Sequence, residues 1–177
     1  DEPMVIETPP NVLGFINDAW FKYVTDFGNA GPDKGKGGKF LILPPDYEGD
    51  VPDGYHVAKT PTYGNWVIWR GFQVDGSPKP AIDATKKLFR MYPFSKKDSP
   101  PKMKFVNISG QFDNTIHRMD YGYWEELNDT IQAEPIKGLD PEIRGLLASI
   151  GIKKGKDFKP DARMKKILED AANIGAV

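Results

Sequence analysis

Up to about Ser99 the apolar residues come in short runs, each broken within about 8–12 residues by Gly, Pro, Asp or Asn. That punctuation constrains the fold more than any other feature, because runs so short read as strands of an antiparallel β domain. "PMVIETPP" alternates and ends at a Pro pair, and "KFLILPP" stops at Pro44. "YHVAKTP" alternates Tyr55, Val57 and Lys59, and "NWVIWRGFQV" turns at Asp75 and Gly76. Four strands are expected. Asn11 to Phe27 departs from this pattern: Val12, Phe15, Ile16, Ala19, Trp20, Tyr23, Val24 and Phe27 recur at i, i+3 and i+4. Taken alone, that spacing predicts an amphipathic helix. Another helix is expected between Pro80 and Pro93, with Ile82, Thr85, Leu88 and Phe89 on its stripe.

"SKKDSPPK" reads as a linker, since Pro100 and Pro101 stop regular structure. From about Asp113 the period turns helical, with Trp124, Leu127 and Ile131 on one face before Pro135. "LDPEIRGLLASIG" is fully punctuated: Asp140 caps, Pro141 takes the first helical position, Ile143, Leu146, Leu147 and Ile150 form the stripe, and Gly151 stops it. "PDARMKKILEDAANIG" repeats the scheme with Asp161 as cap. The fold class expected is α+β, with a β domain over 1–99, a linker over 100–112 and a small helical domain over 113–177.

With 39% hydrophobic and 12% aromatic residues the chain is globular despite 18 Gly and 16 Pro. A net charge of -1 implies no general attraction to nucleic acid or anionic lipid. The absence of cysteine excludes disulfides, thiolate nucleophiles and Cys-bound zinc. The longest apolar runs fall far short of the roughly 20 residues that span a bilayer.

The stretch "GNAGPDKGKGGKFLILPP" is the nearest approach to a nucleotide site. A Walker loop fails on spacing, since Lys36 takes the place of the second glycine counted from Gly31 and no Ser or Thr follows a lysine. The dinucleotide fingerprint fails too, because Phe40 stands where a third glycine belongs after Gly35 and Gly37. Phosphate cradles also run from a strand into a helix, whereas this loop enters a strand. A mobile connection is expected, whose Lys34, Lys36 and Lys39 could meet a small anion.

"DNTIHRMD" sets Asp113, His117 and Asp120 at i, i+4 and i+7, one face of a helix if the stretch is helical. These are the candidate acid-base residues, against the plainer reading that an Asp caps a helix and His117 lies at the surface. No metal and no cofactor is expected, because no second His or Cys supports the set. In "NWVIWRG", strand alternation puts Trp66, Ile68 and Arg70 on one face and Trp69 on the other. Either both indoles are core, or Trp66, Trp69 and Arg70 build an aromatic and guanidinium platform for a sugar or an anionic group. The lysines following "LLASIG" suggest a helix-hairpin-helix DNA element, but the expected G-x-G turn is missing, so nucleic acid is not expected as a partner.

Together, "NAGPDKGKGGKFLILPPDYEGDVPDGYHVAKTPTYGNWVIWRG", "KKLFRMYPF" and "LLASIGIKKGKDFKPDARM" resemble the bacterial family named domain of unknown function 1254. The resemblance covers nearly the whole chain. It implies an antiparallel β-sandwich followed by a small helical domain, completed in longer members by a second sandwich, domain of unknown function 1214. It also implies a strand rather than a helix over Val12 to Ile16, an exported or periplasmic location, and a chain that is an internal fragment of a longer protein. The partner would then be the rest of that protein or another copy of the chain. The family supplies no catalytic residues. The function expected is binding of a carbohydrate or small ligand, and the alternative is a hydrolase completed by the missing β domain.

Overall fold

The computed structural model describes residues 2–112 and 115–175. The chain divides into two compact units, Asp1–Asn107 and Ile108–Val177. The fold is α+β: among the described residues, seven strands, in sheets of four and three, lie in the first unit together with one α-helix, and three further α-helices lie in the second.

In the first unit, β1 (Met4–Thr8) runs antiparallel between β4 (Gly38–Leu43) and β7 (Arg90–Pro93), and β5 (His56–Lys59) completes the sheet beside β4. The β4–β5 pair is parallel, so this sheet is mixed and the expectation of a wholly antiparallel domain is corrected there. A parallel neighbour needs a long crossover, and the segment between Leu43 and His56 provides it.

The second sheet is antiparallel, in the order β3 (Tyr23–Gly28), β2 (Val12–Asp18), β6 (Asn65–Gly71). The residues expected to form a helix from Asn11 to Phe27 are therefore two strands, in agreement with the strand that the family resemblance implies for Val12 to Ile16. The physical reason is that β2 is the central strand and carries apolar residues on both faces, Val12 and Ile16 inward and Leu13 and Phe15 outward, which destroys period-2 alternation. The turn that follows also lacks Gly and Pro. Asp18 makes it instead: its Oδ1 accepts hydrogen bonds from the Trp20 and Lys22 amides at 2.9 and 2.8 Å, while Phe21 takes the left-handed φ of 61°.

The two sheets share one core, formed by Ile6, Phe40 and Ile42 from the larger sheet and Val12, Ile16 and Phe27 from the smaller, with Phe89 closing it. The Phe27 and Phe40 rings lie 5.9 Å apart across it. The other face of the larger sheet is also buried, because Tyr47, Tyr55 and Phe94 cover Val5, Leu41, Leu43 and Tyr92. This explains why "FLIL" is apolar at every position. The helix expected up to Pro93 is α1 (Lys79–Leu88); the chain then extends at Phe89 and forms β7, the strand that the capped helical pattern concealed.

In the second unit, α2 (Gly122–Ala133), α3 (Pro141–Ser149) and α4 (Ala162–Gly175) pack over Ile131, Leu139, Leu147, Ile152 and Leu168. Asp140 caps α3 by accepting the Glu142 amide at 2.8 Å, and Asp161 accepts the Met164 amide at 2.7 Å. The Trp124 indole donates to the Leu168 carbonyl at 2.7 Å and ties α2 to α4. Among the described residues, no helix is long and apolar enough to cross a membrane.

Candidate functional site

Strand β6 alternates cleanly. Trp69 turns inward and stacks on Phe89, with ring centroids 4.1 Å apart and planes 13° from parallel, whereas Trp66, Ile68 and Arg70 turn outward. Pairing through β2 extends that outer face across the sheet in three rows: Arg70 with Leu13 and Gly28, Ile68 with Phe15 and Asp26, Trp66 with Asn17 and Tyr23. The face stays open. Trp66 is 55% exposed, Tyr23 67%, and Phe21, from the β2–β3 turn, 60%. Phe21 meets Trp66 edge-on at 6.1 Å, and the Tyr23 hydroxyl donates to Asp26 at 3.4 Å. The result is an aromatic and aliphatic platform with a guanidinium, a carboxylate and a phenol along its margin. Phe21 and Tyr23 escape the sequence reading because they lie inside the segment taken for a helix. Their one available signal is Asp18, a turn-forming residue placed just ahead of them.

The basic loop leaves the sheet at Gly28, in the row that begins with Arg70. It is a closed, hydrogen-bonded turn built on the buried Asp33, whose two carboxylate oxygens accept the amides of Gly28 at 2.7 Å and Gly37 at 3.1 Å. Gly28 has φ 78°, and a Cβ there would stand 1.9 Å from the Val12 carbonyl oxygen. Gly37, at φ 77°, would set one 2.7 Å from the Thr8 carbonyl oxygen. The glycines that suggest a phosphate cradle are thus demanded by the turn itself. Lys34 and Lys36 are exposed on the loop, but Lys39 is drawn to the larger sheet, where its ammonium lies 3.1 Å from Glu7.

Glu7 also accepts the Tyr92 hydroxyl at 2.6 Å. Burial pushes the Glu7 carboxyl up, but the hydrogen bonds from Tyr92 and Lys39 outweigh it and hold the group below its ordinary range. The same contact works on Tyr92, where burial and then the Glu7 carboxylate push the phenol well above its usual value. A carboxyl depressed in the folded state adds stability above its unfolded pKa and loses it as the pH falls through the folded one. The wild-type chain is therefore expected to lose more stability than Glu7→Gln between about pH 5 and pH 3. Urea unfolding at both pH values checks this, and parallel losses would refute it.

Of the candidate acid-base residues, His117 and Asp120 each make local contacts in the helical unit. His117 is exposed, with Nδ1 2.9 Å from the Arg118 carbonyl oxygen and its ring 5.0 Å from that of Tyr123. Asp120 pairs with Arg118 at 2.8 Å and accepts the Gly122 amide at 2.9 Å, so it serves the start of α2. The hydrogen bond from Arg118 holds the Asp120 carboxyl below its ordinary value. Asp113 lies outside the described residues. Residues 115–118 carry no helix, so the one-face spacing does not arise over that stretch. Among the described residues, no group of three His, Cys, Asp or Glu is placed to hold a metal ion.

A family model described as "Protein of unknown function (DUF1254)" matches residues 1–93, and so ends on the last residue of β7. No curated protein matches the chain. Among solved structures, the VPA0106 protein from Vibrio parahaemolyticus is similar, with a TM-score of 0.66 and 17% identity over 98% of this chain. At that identity the likeness shows the fold alone. This chain spans 44% of that protein's chain.

Proposed function

The chain belongs to the DUF1254 family of proteins of unknown function, and from that premise we propose that it is a non-catalytic binding protein whose recognition surface is the outer face of β3, β2 and β6. The observation that carries this reading is that Trp66, Phe21 and Tyr23 stand exposed together on one sheet face, which Arg70 shares two rows further along. The larger sheet, by contrast, covers its corresponding face with its own residues. The ligand class is a carbohydrate. Flat indole and phenyl faces pack against the apolar faces of sugar rings, while Asp26 and the Tyr23 hydroxyl serve hydroxyl groups. Arg70, with Lys34 and Lys36 on the loop leaving that end of the sheet, favours sugars bearing a carboxylate. The reading places the protein in the bacterial envelope, as the family resemblance implies. It treats residues 1–99 as the binding domain, 100–112 as the linker and 113–177 as a helical appendage.

The test is calorimetric titration with neutral and uronate oligosaccharides. Saturable binding is expected, weakened about tenfold or more by Trp66→Ala, with Arg70→Gln reducing affinity mainly for the uronates. Failure of both sugar classes to bind would sink the proposal. A second reading has one observation behind it: the Vibrio protein's chain is more than twice as long. In that reading the platform packs against further polypeptide of the same protein or another copy, and Trp66→Ala then changes association state rather than sugar affinity.

A further inference from the structure

The helical unit holds a pocket of about 180 Å³ that this binding reading does not use. Its walls are apolar, from Ile131 on α2, Leu139 ahead of α3, Leu147 on α3 and Ile152 in the turn after α3. Its rim is cationic, with Arg144, Lys153 and Lys154, and among the described residues no carboxylate lines it. Arg144 and Leu147 lie three residues apart and so share the inner face of α3. The Arg144 Nε is buried and has no hydrogen-bond partner.

Gln132 fixes the rest of the rim. Its Nε2 donates to the Lys153 carbonyl at 2.8 Å, its Oε1 accepts the Gly155 amide at 2.8 Å, and its backbone carbonyl accepts from the Lys154 ammonium. The lysine run after "LLASIG" is therefore pinned to the end of α2, beside the cavity, and the Lys154 head is already engaged. Lys153 and Arg144 are left to meet a ligand, and of the two it is Arg144 that carries a buried N–H without an acceptor.

We propose that this pocket binds a short aliphatic carboxylate, of about the size of butanoate to hexanoate. The volume equals roughly six waters, which fits about six to eight non-hydrogen atoms. A buried guanidinium N–H without an acceptor is costly, and a carboxylate relieves it with two parallel hydrogen bonds in the guanidinium plane. The alkyl chain lies on the four aliphatic walls and leaves water. An inorganic anion satisfies the rim and wastes the walls; an alcohol does the reverse and leaves the positive charge uncompensated. The two requirements together select an amphiphile with one anionic end.

The test uses the whole 177-residue chain, with sodium hexanoate, hexan-1-ol and sodium sulfate as probes, followed by calorimetry and amide chemical shifts. Hexanoate should bind saturably and shift the amides of Ile131, Leu147 and Ile152. It should bind about tenfold or more tightly than hexanol or sulfate, and Arg144→Gln should remove that advantage. Ala148→Phe fills the pocket, whose wall Ala148 joins, and should abolish binding; this variant and the alcohol comparison decide the matter if Arg144→Gln does not fold. Absence of saturable hexanoate binding, equal affinity for hexanol or sulfate, or binding indifferent to these substitutions overturns the proposal. None of these outcomes bears on the sheet platform, which lies in the other unit.

Discussion

Phe27→Ala is expected to lower the unfolding free energy of the first unit by about 3–5 kcal/mol. Phe27 is fully buried in the core that both sheets share, and its ring fills the space above Gly14, where a Cβ would stand 2.3 Å from it. Removing the ring takes its contacts from Phe40 on the opposite sheet and leaves a cavity that two hydrogen-bonded sheets can collapse only in part. A domain of this kind holds only about 5–15 kcal/mol in total, so the loss is a large share of the whole. Urea unfolding monitored by Trp fluorescence measures it. Trp66→Ala is the paired control: its ring projects from the open face, so its cost should stay below about 1 kcal/mol. A small loss at Phe27, comparable with that at Trp66, would mean that the sheets are not packed on each other as described.

Asp33→Ala should cost about 3 kcal/mol, although no apolar contact of note is lost. The carboxylate accepts two backbone amides in a site where Asp33 is 5% exposed, and hydrogen bonds to a charged group are worth about 1.5–3 kcal/mol each. Alanine leaves the Gly28 and Gly37 amides facing an apolar group. Asparagine keeps the shape and one acceptor, so Asp33→Asn should lie about midway. Hydrogen exchange at Gly28 and Gly37 reports the loop directly, and protection at both amides in Asp33→Ala would show that the carboxylate does not hold the turn.

The legible parts of the sequence were those where one physical rule acts alone. Asp140 and Pro141 mark α3 because an orphaned amide and a missing one both demand it, and Trp66 and Arg70 share a face because a strand alternates. β2 and β3 were illegible because two faces of a central strand are apolar at once and because Asp18 builds a turn with no glycine or proline. β7 was hidden by its four-residue length and by the helix that ends just before it. The helical pocket draws its walls from α2, α3 and the turns flanking α3, so no single stretch announces it. The lysines on its rim offer no sign in sequence of their anchoring to Gln132, which lies more than twenty residues earlier in the chain.

The position of β1 between β4 and β7 also has a bearing on synthesis. Glu7 meets Tyr92, 85 residues further along, and Met4 pairs with Pro93, so the four-stranded sheet closes only when its last strand has been made. At ribosomal speeds of about 5–20 residues per second, β1 waits on the order of ten seconds with one edge unpaired. An apolar edge exposed for that long is a target for chaperones and for strands of other nascent chains. A chain interrupted before Arg90 would keep that edge for life.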